Sequence, residues 1–118
     1  MAGAYHSRLM ESAYEKLGAV LTHVPVQRPR FSVISNMTGA DVRTPIEIRR
    51  TLQDQVTGTV RWADCMERLA GLGCDLFIEL GPGGVLAGLL RRTRKDVNVM
   101  SVSDSASVRA CAEKLSAK

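Results

Sequence analysis

The chain has 118 residues, the length of one domain or of part of one. Its residues are 45% hydrophobic and 24% charged, as in globular proteins, which argues against a disordered chain. The net charge of +4 attracts acidic partners without identifying one, and no apolar run approaches the roughly 20 residues that a membrane-spanning helix needs.

The cysteines predict a reducing compartment. Cys65, Cys74 and Cys111 are an odd number, and their spacings fit neither a zinc site nor a redox pair. The opening "MAGAYHSRLM" lacks the basic-then-apolar layout of a secretion signal. We therefore expect a cytoplasmic protein whose thiols serve as small core residues. We expect no metal site, because His6 and His23 lack clustered acidic partners.

The first predicted element is a helix. Apolar residues recur at helical spacing over residues 8–22, and Ser7 directly before them is a suitable N-cap. Pro25 and Pro29 end this pattern and predict a short extended connector. The β-branched run "FSVISN", residues 31–36, then predicts a strand, which the turn "MTGAD" follows.

Two more helices are predicted between residues 44 and 73. Thr44 is the expected N-cap of the second, with Pro45 at its first position, and the helix runs to about residue 55. The third helix covers residues 62–72 and ends at Gly73.

The remaining residues alternate strand and helix. "DLFIEL", residues 75–80, is mostly apolar, which is typical of a strand covered on both faces. "GPGG" predicts a tight turn before a helix with apolar residues at 85–90, and "VNVMSV", residues 97–102, predicts a third strand. Asp104 or Ser105 opens a last helix.

This order of elements predicts an α/β fold. Strands separated by helices require crossover connections, so the three strands predict a short parallel sheet flanked by helices. Three strands make a thin sheet, and each is apolar enough to need cover on both faces. We therefore expect residues 1–118 to form part of a larger, three-layer domain.

The turn "GPGGVLAG", residues 81–88, is a candidate phosphate site, because backbone N–H groups at a strand-to-helix turn can bind anions. A dinucleotide fingerprint needs glycine at position 86, which is Leu86, and a Walker loop needs Lys followed by Ser or Thr. Neither signature is present, which favours a structural turn.

The basic block "RRTRK", residues 91–95, complements the dipole at a helix end. No aromatic residues interleave with it, so we expect no nucleic-acid site.

His6, in "GAYHS", lies at the junction before the first helix, where a side chain can project into a cleft. A general base also needs a nucleophile within hydrogen-bond reach and a third group that fixes its tautomer. Composition identifies neither group. On the residues alone, His6 is either a structural histidine or a base.

Four segments in order resemble the C-terminal part of the malonyl-CoA:acyl carrier protein transacylase family: "GAYHSRLM", "VISNMTG", "QDQVTGTVRW" and "FIELGPGGVLAGLLRR". The resemblance covers essentially the whole chain, and the same domain occurs in polyketide and fatty acid synthases. It implies the C-terminal part of an acyltransferase, hydrolase-like core that serves fatty acid biosynthesis. In that family a serine in a G-x-S-x-G elbow takes malonyl from coenzyme A and passes it to acyl carrier protein.

The resemblance also implies residue roles. His6 takes the position of the general base, and the backbone carbonyl of Gln55 takes the position that orients its ring. Tyr5 replaces a Phe that accompanies malonyl selectivity in related domains, although Tyr5 can equally pack as a hydrophobic staple of the helix.

The partners implied are malonyl-CoA and acyl carrier protein, for which Arg8, Arg91 and Arg92 are candidate contacts. No cofactor is expected, since coenzyme A thioester and phosphopantetheine are substrates, and neither nucleic acid nor membrane is expected. The 118 residues contain no G-x-S-x-G. We therefore expect the nucleophile in a missing N-terminal part, an inactive isolated chain, and self-association through an exposed sheet edge. The alternative is a non-catalytic module for carrier binding or assembly.

Overall fold

The computed structural model describes residues 3–117 and has two compact units, which meet in sequence between Leu72 and Gly73. The first unit contains a 3₁₀ turn and five further elements in this order: 3₁₀ turn Arg8–Met10, α1 Glu11–His23, β1 Val33–Ser35, β2 Ala40–Val42, α2 Pro45–Asp54 and α3 Trp62–Ala70. The second unit contains four: β3 Phe77–Leu80, α4 Val85–Thr93, β4 Val99–Val102 and α5 Ser105–Ser116.

The first unit begins with the predicted helix, divided into the 3₁₀ turn and α1. Ser7 is the N-cap, and its hydroxyl accepts a hydrogen bond from the Leu9 N–H at 3.3 Å. The predicted connector after α1 has neither helix nor strand up to Ser32. Leu21 from α1 is buried, as are Val42, Cys65 and Met66 from the elements that follow.

The predicted strand at residues 31–36 forms, but it does not join a parallel sheet. β1 pairs antiparallel with β2, with Val33 opposite Val42 and Ser35 opposite Ala40. The connecting turn ends at Gly39, which has a φ of +69° and donates its N–H to the Ser35 carbonyl at 2.8 Å. The prediction missed β2 because its three residues, "ADV", carry no strand pattern of their own.

α2 begins at the predicted cap. The Thr44 hydroxyl accepts from the Glu47 N–H at 3.2 Å, and the Glu47 carboxylate accepts from the N–H groups of Arg43 and Thr44, each at 2.9 Å. These reciprocal bonds form a capping box that satisfies N–H groups left over at a helix start. α3 ends at Ala70 with Gly71 as its C-cap, two residues before the predicted end at Leu72.

The second unit contains a short parallel sheet flanked by helices, as the sequence predicts. β3 and β4 pair in parallel from Phe77 opposite Val99 to Leu80 opposite Val102, and α4 makes the crossover between them. This sheet has two strands within residues 3–117, not three, because β1 lies in the separate hairpin. The α/β class is confirmed.

Among the helices of residues 3–117, none combines the length and the apolar character needed to cross a bilayer. The same described residues hold no group of three or more His, Cys, Asp or Glu side chains arranged to bind a metal ion.

The capping box makes stability depend on pH. The N–H groups of Arg43 and Thr44 lower the pKa of Glu47 below its ordinary value. The carboxylate therefore stabilises the fold fully above the unfolded-state pKa of about 4.3, and this stabilisation is lost as pH falls through the lower folded-state pKa. Denaturant titrations of wild type and Glu47→Gln at neutral and acidic pH should show a smaller acid-induced loss in the variant. Glu15→Gln, on the exposed side of α1, is the matched control and should retain the wild-type loss.

A candidate proton-acceptor site at His6

His6 is exposed and lies at the start of the first unit, where its ring meets the end of α2. Nδ1 of His6 is 2.7 Å from the backbone carbonyl oxygen of Gln55. A carbonyl oxygen can only accept a hydrogen bond, so Nδ1 carries the proton. In the neutral ring the other nitrogen, Nε2, then holds a lone pair and can accept a proton from another group.

The backbone at His6 has a conformation that is uncommon outside glycine. Its φ is +58°, and it is the one non-glycine residue of the described chain with a positive φ. The turn is closed by Ser7, whose hydroxyl donates to the Ala4 carbonyl at 2.6 Å while accepting from Leu9. Such outliers cost roughly 1–3 kcal/mol and cluster at functional sites, so the conformation makes His6 a candidate functional residue.

Gln55 offers its carbonyl because of its place at the helix end. It is the C-cap of α2, and the last carbonyls of a helix have no partner within the helix. Its side-chain Nε2 donates to the Gly58 carbonyl at 3.3 Å, which fixes the side chain against the turn after α2. Nε2 also lies 3.3 Å from His6 Nδ1, but two N–H groups cannot bond to each other, so the backbone carbonyl is the acceptor.

Polar contacts tie α1 to α2 along their length. Arg49 donates from Nε to the Leu21 carbonyl at 3.0 Å and from Nη2 to the Val24 carbonyl at 2.9 Å. Nearer His6, Gln53 Nε2 donates to the Tyr14 carbonyl at 3.3 Å. These contacts fix the helix that carries the Gln55 carbonyl against the helix that follows His6.

A side-chain pair strengthens this tie close to the site. The hydroxyl of Tyr14 donates to the Asp54 carboxylate at 3.4 Å, one residue before Gln55. Arg49, Gln53 and Asp54 lie in no motif that the sequence singles out. Arg49 and Gln53 are four residues apart on α2, a spacing that places both on one face, and this was the available signal.

The other predicted site residues have different surroundings. Tyr5, beside His6, is 60% exposed, so its ring is not packed as a hydrophobic staple would be. Arg8 and Arg92 are exposed, and neither forms an ion pair within residues 3–117. Arg91 differs from them, because its Nη2 donates to the Val99 carbonyl at 2.9 Å and so ties α4 to β4.

The glycine turn before α4 has its own internal ligand. The Glu79 carboxylate accepts from the N–H groups of Leu86 at 2.9 Å and Ala87 at 3.4 Å, and from the Ser101 hydroxyl at 2.9 Å. Partial desolvation raises the pKa of Glu79, but these donors together lower it below its ordinary value. A carboxylate of the chain thus fills the place that a phosphate would take, which favours the structural interpretation of the turn.

Comparisons with known proteins agree on one family, although no family model matches the chain. The malonyl CoA-acyl carrier protein transacylase of Haemophilus influenzae is 36% identical over 108 residues, which are 92% of this chain and 35% of that protein. An acyl-carrier-protein S-malonyltransferase from Bartonella henselae matches in structure with a TM-score of 0.89 at 31% identity, over 98% of this chain and 37% of that one.

A third match was solved with its partner. The structure is that of a type II polyketide synthase acyl carrier protein in complex with its malonyl-transacylase. The match has a TM-score of 0.87 at 31% identity and covers 97% of this chain and 38% of the matched chain. The chain thus spans about a third of the length of the curated relatives it matches.

The contact between His6 and Gln55 predicts a defined tautomer. Nitrogen-15 NMR of the imidazole should show His6 protonated at Nδ1 in the neutral form, whereas free histidine prefers a proton on Nε2. His23 also faces a carbonyl, that of Ala19 at 3.1 Å from Nδ1, so His23→Gln is used to assign the two rings. A proton on Nε2 of His6 would contradict the geometry.

The hydrogen bonds between α1 and α2 predict that Arg49 contributes more to stability than its neighbour Arg50. Arg49→Met removes two charge-assisted hydrogen bonds and should lower the free energy of unfolding by about 2 kcal/mol. Arg50→Met removes only an exposed ion pair with Asp54, whose atoms are 3.6 Å apart, and should cost less than about 0.5 kcal/mol. Urea denaturation measures both, and equal losses would contradict the assignment.

Proposed function

Because the chain belongs to the malonyl CoA-acyl carrier protein transacylase family and spans about a third of its members' length, we propose that it supplies the proton acceptor for malonyl transfer. The single observation that carries this proposal is the 2.7 Å contact between Nδ1 of His6 and the Gln55 carbonyl. The transfer runs from the thioester of malonyl-CoA to acyl carrier protein, and His6 is its general base.

The chemistry has two halves that use the same nitrogen. A serine hydroxyl from the remaining part of the family fold gives its proton to His6 Nε2 as its oxygen attacks the malonyl carbonyl. The C–S bond breaks, and the imidazolium returns the proton to the departing coenzyme A thiolate. In the second half, Nε2 takes the proton of the phosphopantetheine thiol as its sulfur attacks the carbonyl carbon of the malonyl-serine ester. The ester C–O bond breaks, and the imidazolium returns the proton to the departing serine oxygen.

The environment of His6 suits this exchange. The Gln55 carbonyl holds Nδ1–H, so the lone pair of the neutral ring lies on Nε2. A carbonyl has no full charge and stabilises a developing imidazolium less than the aspartate of a triad does. The carbonyl end of α2 compensates in part, since the C-terminus of a helix favours positive charge. The exposure of His6 leaves the ring open to a serine on another part of the fold.

The partners follow from the same proposal. Tyr5, next to His6, contributes to the choice of malonyl. Arg8 in the first unit, and Arg91 and Arg92 in the second, are each candidate contacts for an acidic acyl carrier protein. A related transacylase has been solved in complex with its carrier protein. Loss of carrier binding at high salt would support these contacts, and salt-insensitive binding would contradict them. A cytoplasmic location stays a prediction.

Within residues 3–117, β3 pairs with β4 alone, and this adds a structural expectation. Leu80, at the end of this strand, is 79% exposed, and a parallel strand of this kind is normally covered on both faces. We infer that the remaining part of the family fold covers this region, and that the isolated chain self-associates instead. Sedimentation that shows only monomer would contradict the second statement.

Complementation tests the role of His6. The chain is mixed with the complementary part of the Haemophilus influenzae relative, which is to supply the G-x-S-x-G serine, and transfer of labelled malonyl from coenzyme A to acyl carrier protein is measured. We expect transfer from the mixture, none from the chain alone, and a loss of at least about 10³-fold in His6→Ala, because members of a Ser–His unit act together.

His23→Ala is the matched control, and it should transfer at the wild-type rate because His23 lies at the far end of α1. Transfer that survives His6→Ala would refute the role assigned to His6. If the mixture assembles and binds carrier protein but transfers no malonyl, the chain is a non-catalytic carrier-binding or assembly module instead.

A further inference from the structure

A second concave site lies in the first unit, on the hairpin and the connector before it. It is a cavity of about 270 Å³ lined mainly by residues 28–32 and 41–43. The antiparallel register, with Val33 opposite Val42, brings the residues before β1 alongside the residues after β2. The connector therefore forms one wall of the cavity, and Arg43 lies in the other.

Three guanidinium groups line this cavity without a carboxylate partner. Arg28, Arg30 and Arg43 are exposed, and none of them forms an ion pair within residues 3–117. Like charges in one concavity repel each other and raise the local concentration of anions. Arginine binds phosphate oxygens in a bidentate manner, which makes phosphate the anion of choice.

The acidic residue of the cavity does not neutralise these charges. Asp41 also lines it, but its carboxylate accepts a hydrogen bond from Arg68 Nε at 2.6 Å and is only 12% exposed. The Arg68 guanidinium lowers the pKa of Asp41 through this hydrogen bond, although partial desolvation opposes the change. Asp41 and Arg68 therefore cancel as a pair, and Glu47 beside Arg43 offsets part of the remaining charge, so the three arginines keep the cavity net positive.

An aromatic ring completes the cavity. Phe31 lines it and is 77% exposed, so its ring is accessible to a ligand. Exposed aromatic rings beside arginines are the surfaces on which nucleobases stack. Pro29, between Arg28 and Arg30, restricts the connector and so reduces the entropy lost when a ligand binds.

We propose that this cavity binds a nucleotide, with its phosphates at Arg28, Arg30 and Arg43 and its base against Phe31. The volume of about 270 Å³ lies just below the range of small-molecule pockets, about 300–1,000 Å³, which suits a nucleotide of which part remains in solvent. A free nucleotide and the nucleotide portion of coenzyme A share this chemistry. The coenzyme A source rests on the proposed function, whereas the site itself does not.

Calorimetric titration of the whole chain tests the site with three probes: ADP, coenzyme A and inorganic pyrophosphate. We expect saturable one-to-one binding of ADP, and binding of pyrophosphate weaker by about fivefold because it has no base to stack. Arg30→Gln should weaken ADP binding about tenfold through the loss of charge-assisted hydrogen bonds. Phe31→Ala should weaken ADP binding and leave pyrophosphate binding unchanged.

The controls separate a built site from general charge attraction. Arg109→Gln removes the same charge from the exposed surface of α5 and should leave ADP binding unchanged. Arg28→Gln provides a second variant in the connector, outside any helix or strand, should Arg30→Gln unfold the chain.

The outcomes are decisive in both directions. No saturable ADP binding, or equal weakening by Arg109→Gln and Arg30→Gln, would overturn the site. Coenzyme A binding that responds to Arg30→Gln and Phe31→Ala as ADP does identifies its nucleotide as an occupant, and coenzyme A binding that ignores both leaves a free nucleotide as the ligand. No transfer reaction enters the assay, so failure here would leave the role of His6 untouched.

Discussion

The hydrogen bond between an imidazole before one helix and a carbonyl at the end of another organises the first unit. His6 and Gln55 are 49 residues apart in sequence, and their contact requires α1 and α2 to lie side by side in one register. Arg49 and Gln53 maintain that register by donating to carbonyls of α1 and of the residue after it. The geometry at the ring is therefore a property of the helix pair as much as of the two residues that meet.

This arrangement explains why several polar side chains lie between packed helices. Arg49 satisfies two carbonyls that the end of α1 would otherwise leave without a partner, so its partial burial serves the fold and the site together. The glycine turn before α4 follows the same logic in the second unit, where Glu79 satisfies the first N–H groups of the helix. In both units, charged side chains bind backbone groups at helix ends, and no separate ligand is needed there.

The sequence pattern predicts helix caps, whereas it does not predict which strands pair or which distant residues form a contact. Ser7 and Thr44 were identified as helix caps, and Asp104 as one of two candidates, because a cap depends on residues only two or three positions away. The predicted parallel pairing of the strand at 31–36 was wrong. Its actual partner, β2, has only three residues and therefore no periodicity that a sequence pattern could reveal. The contact of His6 with Gln55 came from resemblance to a family, since no local pattern connects residues so far apart.

The acceptor for His6 is a backbone oxygen, and this has a genetic consequence. Every amino acid carries that oxygen, so no amino-acid substitution at position 55 can remove it. A substitution there changes only the side chain that donates to the Gly58 carbonyl. The hydrogen-bond acceptor of the His6 ring is thus retained whatever amino acid stands at position 55. Variants that disturb the imidazole should instead arise at distant codons, among the residues that hold the two helices together.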